Sequence, residues 1–166
     1  MAWTTPGTAT AGEVLTASFW NTQVRDNMLE ILPNGTTIQT YVPTLSGGWA
    51  LGNSTYTAKY VRHGRIVHYW SVITIGSTAT KGTTMVIAVP VAAVDADNLT
   101  TANVIFEDVG SAFNYGFARP STTTTMVIDC INTATSYAQA VGITSTTPFT
   151  WATGDKIWIS GTYLAA

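Results

Sequence analysis

Two histidines, nine acidic residues and a single cysteine are the side chains of this 166-residue chain best suited to chemistry. A hydrolytic triad needs a histidine that lies beside a nucleophile and is oriented by a carboxylate. His63 falls in a predicted turn, and His68 lies in a predicted strand whose opposite face carries the nearby Ser71. The chain contains no Gly-x-Ser-x-Gly motif. The sequence therefore favours structural or solvent-exposed histidines over catalytic ones.

The acidic residues after the N-terminal segment do not nominate a catalytic pair. Glycoside hydrolysis needs two carboxylates that face one cleft, but the adjacent Glu107 and Asp108 point to opposite faces of a strand. The sequence leaves open a catalytic pair formed by carboxylates on two neighbouring strands. The loop Asp95–Asn98 lacks the glycine and the distal glutamate of a calcium loop. Because Cys130 is the only cysteine, the chain cannot form an internal disulfide. From the histidines, the acidic residues and the cysteine together, we predict no catalytic residue, cofactor or metal site.

The composition separates this chain from several functional classes. Charged residues make up 10% of it and hydrophobic residues 46%, whereas a soluble domain typically has about 25% charged residues. It has no basic stripe of the kind that nucleic-acid binders show, and no apolar run approaches the roughly 18–20 residues of a membrane span. Residues 1–6 lead into no signal-peptide core. We expect a water-soluble chain so poor in charge to cover apolar surface with copies of itself.

An extended arm and one helix are predicted before the β region. Residues 1–12 show no periodicity, and residues 16–32 have the spacing of an amphipathic helix, with Thr16 as its N-cap. Pro33-Asn34-Gly35 ends the helix. Its apolar face is expected to pack either on its own domain or on symmetry mates or a docking partner, and the sequence favours neither of these two interpretations. The residues of this predicted attachment or oligomer interface are Phe19, Trp20, Val24, Met28 and Ile31.

After residue 40 the pattern changes to short β-strands separated by turn residues, which predicts an antiparallel, jelly-roll-like β-sandwich. We therefore divide the chain into residues 1–35, an attachment segment, and residues 36–166, the sandwich domain. The sharpest predicted turn is His63-Gly64. In the strand 65–75 both faces are apolar, so one is expected to face the core and the other a neighbouring chain. The predicted strands are Thr55–Arg62, Arg65–Ile75, Met85–Val89, Asn103–Val109, Asn114–Arg119, Thr124–Ile131, Tyr137–Thr144 and Lys156–Leu164.

Aromatic side chains are the remaining candidates for a binding site. Exposed rings stack on sugar faces and fill protein interfaces, although core packing is the alternative that we favour for any single ring. Tyr115 and Phe117 lie near a predicted loop and close to Arg119. We predict that these three residues form a distal binding surface.

Several stretches carry motifs found together in one group of proteins. They are Ala2-Trp3-Thr4-Thr5-Pro6, Gly12-Glu13-Val14-Leu15-Thr16-Ala17-Ser18, Trp20-Asn21-Thr22-Gln23-Val24-Arg25-Asp26-Asn27, Tyr41-Val42-Pro43-Thr44-Leu45, Trp49-Ala50-Leu51-Gly52-Asn53, Tyr60-Val61-Arg62-His63-Gly64-Arg65-Ile66-Val67, Trp151-Ala152-Thr153-Gly154-Asp155 and Ile159-Ser160-Gly161-Thr162-Tyr163. Over roughly residues 1–75 and 151–166 the chain resembles structural proteins of tailed-phage and prophage virions. The resemblance implies a β-sandwich domain, commonly trimeric, that is attached by its N-terminal segment. It carries over no catalytic residues.

These observations predict a non-enzymatic structural protein on the exterior of a tailed-phage virion. The first hypothesis is a trimeric tail fibre or adhesin module. The alternative is a capsid decoration or head-fibre protein, and a polysaccharide depolymerase is the remote one. The expected partners are copies of the chain itself, other tail or capsid proteins, and a host surface glycan or protein. Neither nucleic-acid binding nor membrane insertion is expected.

Overall fold

A computed structural model describes residues 14, 16–26, 28, 38–98, 102–132 and 138–166. The described chain is mainly β, in one curled antiparallel sheet, which confirms the predicted sandwich-like fold class. Its strands are β1 (Gln39–Thr40), β2 (Leu45–Ser46), β3 (Thr55–His63), β4 (Ile66–Thr74), β5 (Met85–Ala88), β6 (Ala102–Asp108), β7 (Ala112–Thr122), β8 (Thr125–Asn132), β9 (Gln139–Gly142) and β10 (Lys156–Leu164).

The eight strands from β3 to β10 coincide with the eight predicted strands to within a few residues. The short strands β1 and β2 were not predicted, because two-residue segments are too short to show an alternating pattern. Along the sheet the order is β1-β3-β4-β10-β6-β7-β8-β5-β2, and β9 pairs with the second half of β8.

The sheet curls until its inner face packs on itself. Three strands separate β4 from β8 in the sheet order, so these two strands would lie roughly 19 Å apart in a flat sheet. The hydroxyl of Tyr69 on β4 nevertheless donates a hydrogen bond to the sulfur of Met126 on β8, at 3.1 Å. The core lies between these facing halves.

The short segment 39–46 bridges the two ends of the sheet order. Its first part, β1, pairs with β3 at one end, and its second part, β2, pairs with β5 at the other. The buried Pro43 lies between the two short strands, where a missing backbone donor breaks the strand. This segment therefore covers part of the edge that β3 and β5 would otherwise present.

Two turns lie at positions that differ from those predicted from the sequence. His63 is the last residue of β3 and pairs with Ile66, so the two-residue turn is Gly64-Arg65 and not His63-Gly64. Gly64 has a φ of +57°, which a glycine at the first turn position adopts without strain. The predicted break at Pro120-Ser121 lies inside β7, and the chain turns after Thr122 instead, next to a register shift. A bulge accommodates the proline there, since it lacks a donor for the ladder.

Aromatic rings fill one end of the core. The ring centroid of Trp151 lies 5.6 Å from that of Trp49, 6.0 Å from that of Phe106 and 4.6 Å from that of Phe149. The buried carboxylate of Asp155 accepts backbone hydrogen bonds beside this cluster. Trp49 and Trp151 are therefore core residues, as the core-packing alternative expected.

The predicted helix begins where the sequence placed it. The side chain of Thr16 accepts a hydrogen bond from the backbone N–H of Phe19 at 3.2 Å and caps α1 (Ala17–Trp20). Asn21–Asp26 then form a π-helical segment, so the regular α-helical spacing predicted for residues 16–32 is wrong over this stretch. Most of residues 27–35 lie outside the described chain. Of the helices described, none has both the length and the apolar character needed to cross a membrane.

Candidate functional site

The outward face of the sheet carries a row of apolar side chains that runs across four strands. The register places Val72 opposite Trp158, Trp158 opposite Ile105, and Ile105 opposite Tyr115. We call these four residues the outer row. Trp158 is 42% exposed and Tyr115 is 62% exposed, whereas the inward neighbours Ile157 and Ile159 are buried. Such strands are apolar on both faces, although only one of those faces lies in the core of the chain.

A groove of about 270 Å³ lies along this row. Trp70 and Phe117 flank it in the adjacent register row, together with the polar Ser160 and Asn103. Most of the groove surface is apolar. Its lining residues, the outer groove, are Trp70, Ser71, Val72, Asn103, Ile105, Trp158, Ile159 and Ser160.

The sequence does not show that Trp70 and Trp158 lie next to Val72 and Ile105. These residues belong to strands far apart in the chain, and only the β10 pairings bring them together. One usable signal was present. The strand Lys156–Leu164 carries Trp158 on the face opposite the isoleucines, where an alternating pattern would place a polar residue.

Two ion pairs border the outer row. Lys156 lies directly opposite Glu107, with 3.1 Å between Nζ and Oε2, and the indole N–H of Trp158 donates to the same carboxylate oxygen at 3.4 Å. On the other side, Nε of Arg119 lies 2.6 Å from Oδ2 of the buried Asp129. The four charged groups of these two pairs are therefore neutralised within the chain, whereas Lys59, which lies opposite Trp70, forms no ion pair among the described residues.

The predicted distal surface belongs to this same face. Tyr115, Phe117 and Arg119 alternate along β7, so all three point outward. Tyr115 is exposed, Phe117 is half-buried, and the guanidinium of Arg119 is engaged by Asp129. The structure thus brings the three together and joins them to the outer row, while their role in binding stays a prediction.

The predicted attachment face lies on the N-terminal helix. Trp20 and Met28 are exposed, Phe19 and Val24 are half-buried, and Ile31 lies outside the described residues. Neither α1 nor the π-helical segment contains a buried residue. This part of the helix therefore presents large apolar side chains without burying any of them.

The candidate chemical groups take structural positions. Nδ1 of His68 lies 2.8 Å from Oγ1 of Thr162, and the His63 and His68 rings meet edge to face at 6.1 Å. Ser71 is buried on the other side of β4, so the predicted separation of His68 from Ser71 is confirmed. Within the described ranges, no three His, Cys, Asp or Glu side chains cluster as metal ligands.

Burial governs the titrating groups of the interior. It raises the pKa of Tyr41 to about 12, and the nearby Ser71 hydroxyl offsets part of that rise, although these hydroxyls do not reach hydrogen-bonding geometry. Burial also raises the pKa of Tyr163 to about 12, offset in part by the backbone N–H of Val91, which donates a hydrogen bond to the Tyr163 hydroxyl oxygen at 3.0 Å. The pKa of the Cys130 thiol is raised for the same reason. These shifts keep each group neutral, which suits a core and not a nucleophile.

Comparisons with protein-family models, with curated proteins and with solved structures found no match. The resemblance of the terminal motifs to tailed-phage virion proteins therefore stays a prediction, and the two exposed apolar surfaces are the strongest structural guide to function.

Proposed function

We propose that this protein is a non-enzymatic structural component of the exterior of a tailed-phage virion. It acts as a self-associating, trimeric tail fibre or adhesin module that is held to the particle by its N-terminal segment. The observation that carries this proposal is the presence of two separate apolar surfaces, the outer row and the helix, on a chain in which only 10% of residues are charged.

Two apolar surfaces suit a protein that makes two kinds of contact. Large exposed apolar patches usually mark interaction sites on soluble proteins. A rigid sheet face is suited to contacts between equivalent subunits, and a short N-terminal helix is suited to docking on a different protein. The exposed Trp20 and Met28 of the helix then bind the particle, while the sheet domain projects from it.

The described side chains support a structural role over an enzymatic one. The acidic groups that are best placed on the outer face, Glu107 and Asp129, are each bound to a cation. Asp155, also buried, binds backbone amides. A glycosidase needs two carboxyl groups that are free to act on substrate across one cleft, so this arrangement favours holding the fold over hydrolysis.

Locating the chain on particles tests this proposal. Purified virions of the phage or prophage that encodes it would be labelled with antibody and gold and imaged, and the copy number would be measured. We expect label on the tail. Label on the head with tens or hundreds of copies would favour the capsid decoration alternative, and absence of the chain from particles would overturn the proposal.

The role of the helix is tested by its exposed side chains. The double variant Trp20→Ser, Met28→Ser should stay folded but lose incorporation into particles. The matched control is Val109→Ser, which removes an exposed apolar side chain from a turn of the sheet domain.

A fall in the viscosity of host polysaccharide on incubation with the wild-type protein would instead support the depolymerase hypothesis.

A further inference from the structure

We infer that a second copy of this chain packs over the outer groove, with Trp158 at the centre of the contact. The inference rests on the proposed function in one respect, because a trimeric module needs a surface through which its subunits meet. It deepens that function by naming the surface and its occupant.

The exposed area is large enough to form the centre of a stable interface. Trp158, Tyr115 and Phe113 lie on the outward face and are 42%, 62% and 61% exposed. Since a fully covered aromatic side chain buries roughly 150–250 Å², these three rings alone expose roughly 250–400 Å². That overlaps the lower part of the roughly 300–600 Å² of the largest apolar patch on a typical monomer, and it amounts to roughly a third to a half of the roughly 800 Å² that each partner buries in a standard interface.

Four of the charged groups on this face are compatible with a second copy. The Lys156–Glu107 and Arg119–Asp129 pairs are already neutralised within one chain. When two such faces approach, neither brings an unpaired charge from these four groups against its counterpart. Desolvating an unpaired charge is what most often prevents two surfaces from associating.

Trp158 has the properties of an interface anchor. Its indole N–H bond to Glu107 restricts the ring, so little side-chain freedom remains to be lost on binding. It lies between Val72 and Ile105 in the outer row, away from the sheet edges. Tryptophan at the centre of an apolar patch is a frequent hot spot of protein interfaces.

A glycan is the other occupant that an aromatic face could bind. Sugar rings stack on aromatic side chains but also need polar partners for their hydroxyl groups. The groove surface is mostly apolar, and the neighbouring Glu107 is held by Lys156 and Trp158. A protein surface therefore fits this groove better than a carbohydrate does.

The experiment compares two lysine substitutions by sedimentation velocity at several protein concentrations. Ile105→Lys places a charge in the middle of the outer row. Val94→Lys is the matched control, because Val94 is 39% exposed against 36% for Ile105 but lies in a loop away from the groove. Circular dichroism melts of both variants establish that each one folds.

We expect wild type and Val94→Lys to sediment as oligomers of the 17.6 kDa chain. Folded Ile105→Lys should associate at least about 100-fold more weakly, because copies would bury uncompensated charge. If Ile105→Lys fails to fold, Trp158→Ser replaces it, with the same expectation.

Three results would overturn the inference. A wild-type oligomer that Ile105→Lys and Trp158→Ser leave intact would place the subunit contact elsewhere, without touching the virion role. A wild-type monomer at tens of micromolar would remove the contact altogether. A monomer that binds soluble oligosaccharide through Trp158 would make the groove a glycan platform. A dimer would support the groove contact while contradicting the trimer.

Discussion

Replacing the buried Asp155 by alanine should destabilise this protein substantially more than removing an exposed carboxylate. The Asp155 side chain is buried just before β10. Its Oδ1 accepts the N–H of Val109 at 3.2 Å, and its Oδ2 accepts the N–H of Ala152 at 2.6 Å. The carboxylate thus ties the β6–β7 turn to the segment that leads into β10.

The magnitude follows from these two bonds. A hydrogen bond to a charged group contributes about 1.5–3 kcal/mol, so two of them contribute about 3–6 kcal/mol. Removing the carboxylate also removes the cost of desolvating it, which places the expected loss near the lower end, about 3–4 kcal/mol. For a chain of this size each kcal/mol lowers Tm by about 2–4 °C, so Tm should fall by about 6–16 °C.

The assay is thermal unfolding at one fixed protein concentration, because the proposed self-association would make Tm depend on concentration. Asp155→Asn keeps one acceptor and should fall between wild type and Asp155→Ala. Asp97→Ala is the control, since Asp97 is exposed in the turn Ala96–Asn98, and it should change stability by less than about 0.5 kcal/mol. Amide exchange at Val109 and Ala152 should accelerate in Asp155→Ala. If Asp155→Ala melts with Asp97→Ala, the reasoning is refuted.

Three further outcomes are expected. Because burial raises the pKa of Tyr41 and of Tyr163 from 10 to about 12, their contribution to stability should be complete below pH 10 and be lost as pH rises towards 12. Urea unfolding across that pH range measures the free energy of unfolding, and a free energy that stays constant would contradict the prediction. Gly116→Ala should cost about 1–3 kcal/mol, since a Cβ there would meet the β8 backbone, whereas Gly142→Ala, with space for its Cβ, should cost little in the same assay. The buried Cys130 thiol, whose pKa is raised, should react with a thiol reagent at pH 8 only after denaturant is added; immediate labelling of the native protein would show that the thiol is accessible.

The strands were predictable because β-branched and aromatic residues alternate with turn residues over most of the sheet. One face of the strand 65–75 was expected to pack on the core, and the structure shows that it is the face that carries Tyr69 and Ile73. The turn at residues 64–65 was predicted one residue too early, because a glycine indicates a turn without specifying which position of the turn it occupies. The π-helical segment Asn21–Asp26 was not predictable, since apolar spacing alone does not distinguish an α-helix from a helix with a local bulge.

The candidate surface was only partly predictable. Tyr115, Phe117 and Arg119 lie on one strand, so their common face follows from simple alternation. Their union with Ile105 and Trp158 depends on strand order, which alternation does not contain. Two adjacent strands of a sheet can therefore come from segments more than fifty residues apart in the chain.

The sequence by itself determined the β character of the chain, the position of the helix start at Thr16 and the shortage of charge that calls for covered surface. Those features depend on local residue type and on composition. Only the tertiary structure decided that Trp158 faces outward between Val72 and Ile105, and that Asp155 is buried among backbone donors. Both outcomes depend on the order in which the strands pair and on how far the sheet curls, and long-range packing sets these properties.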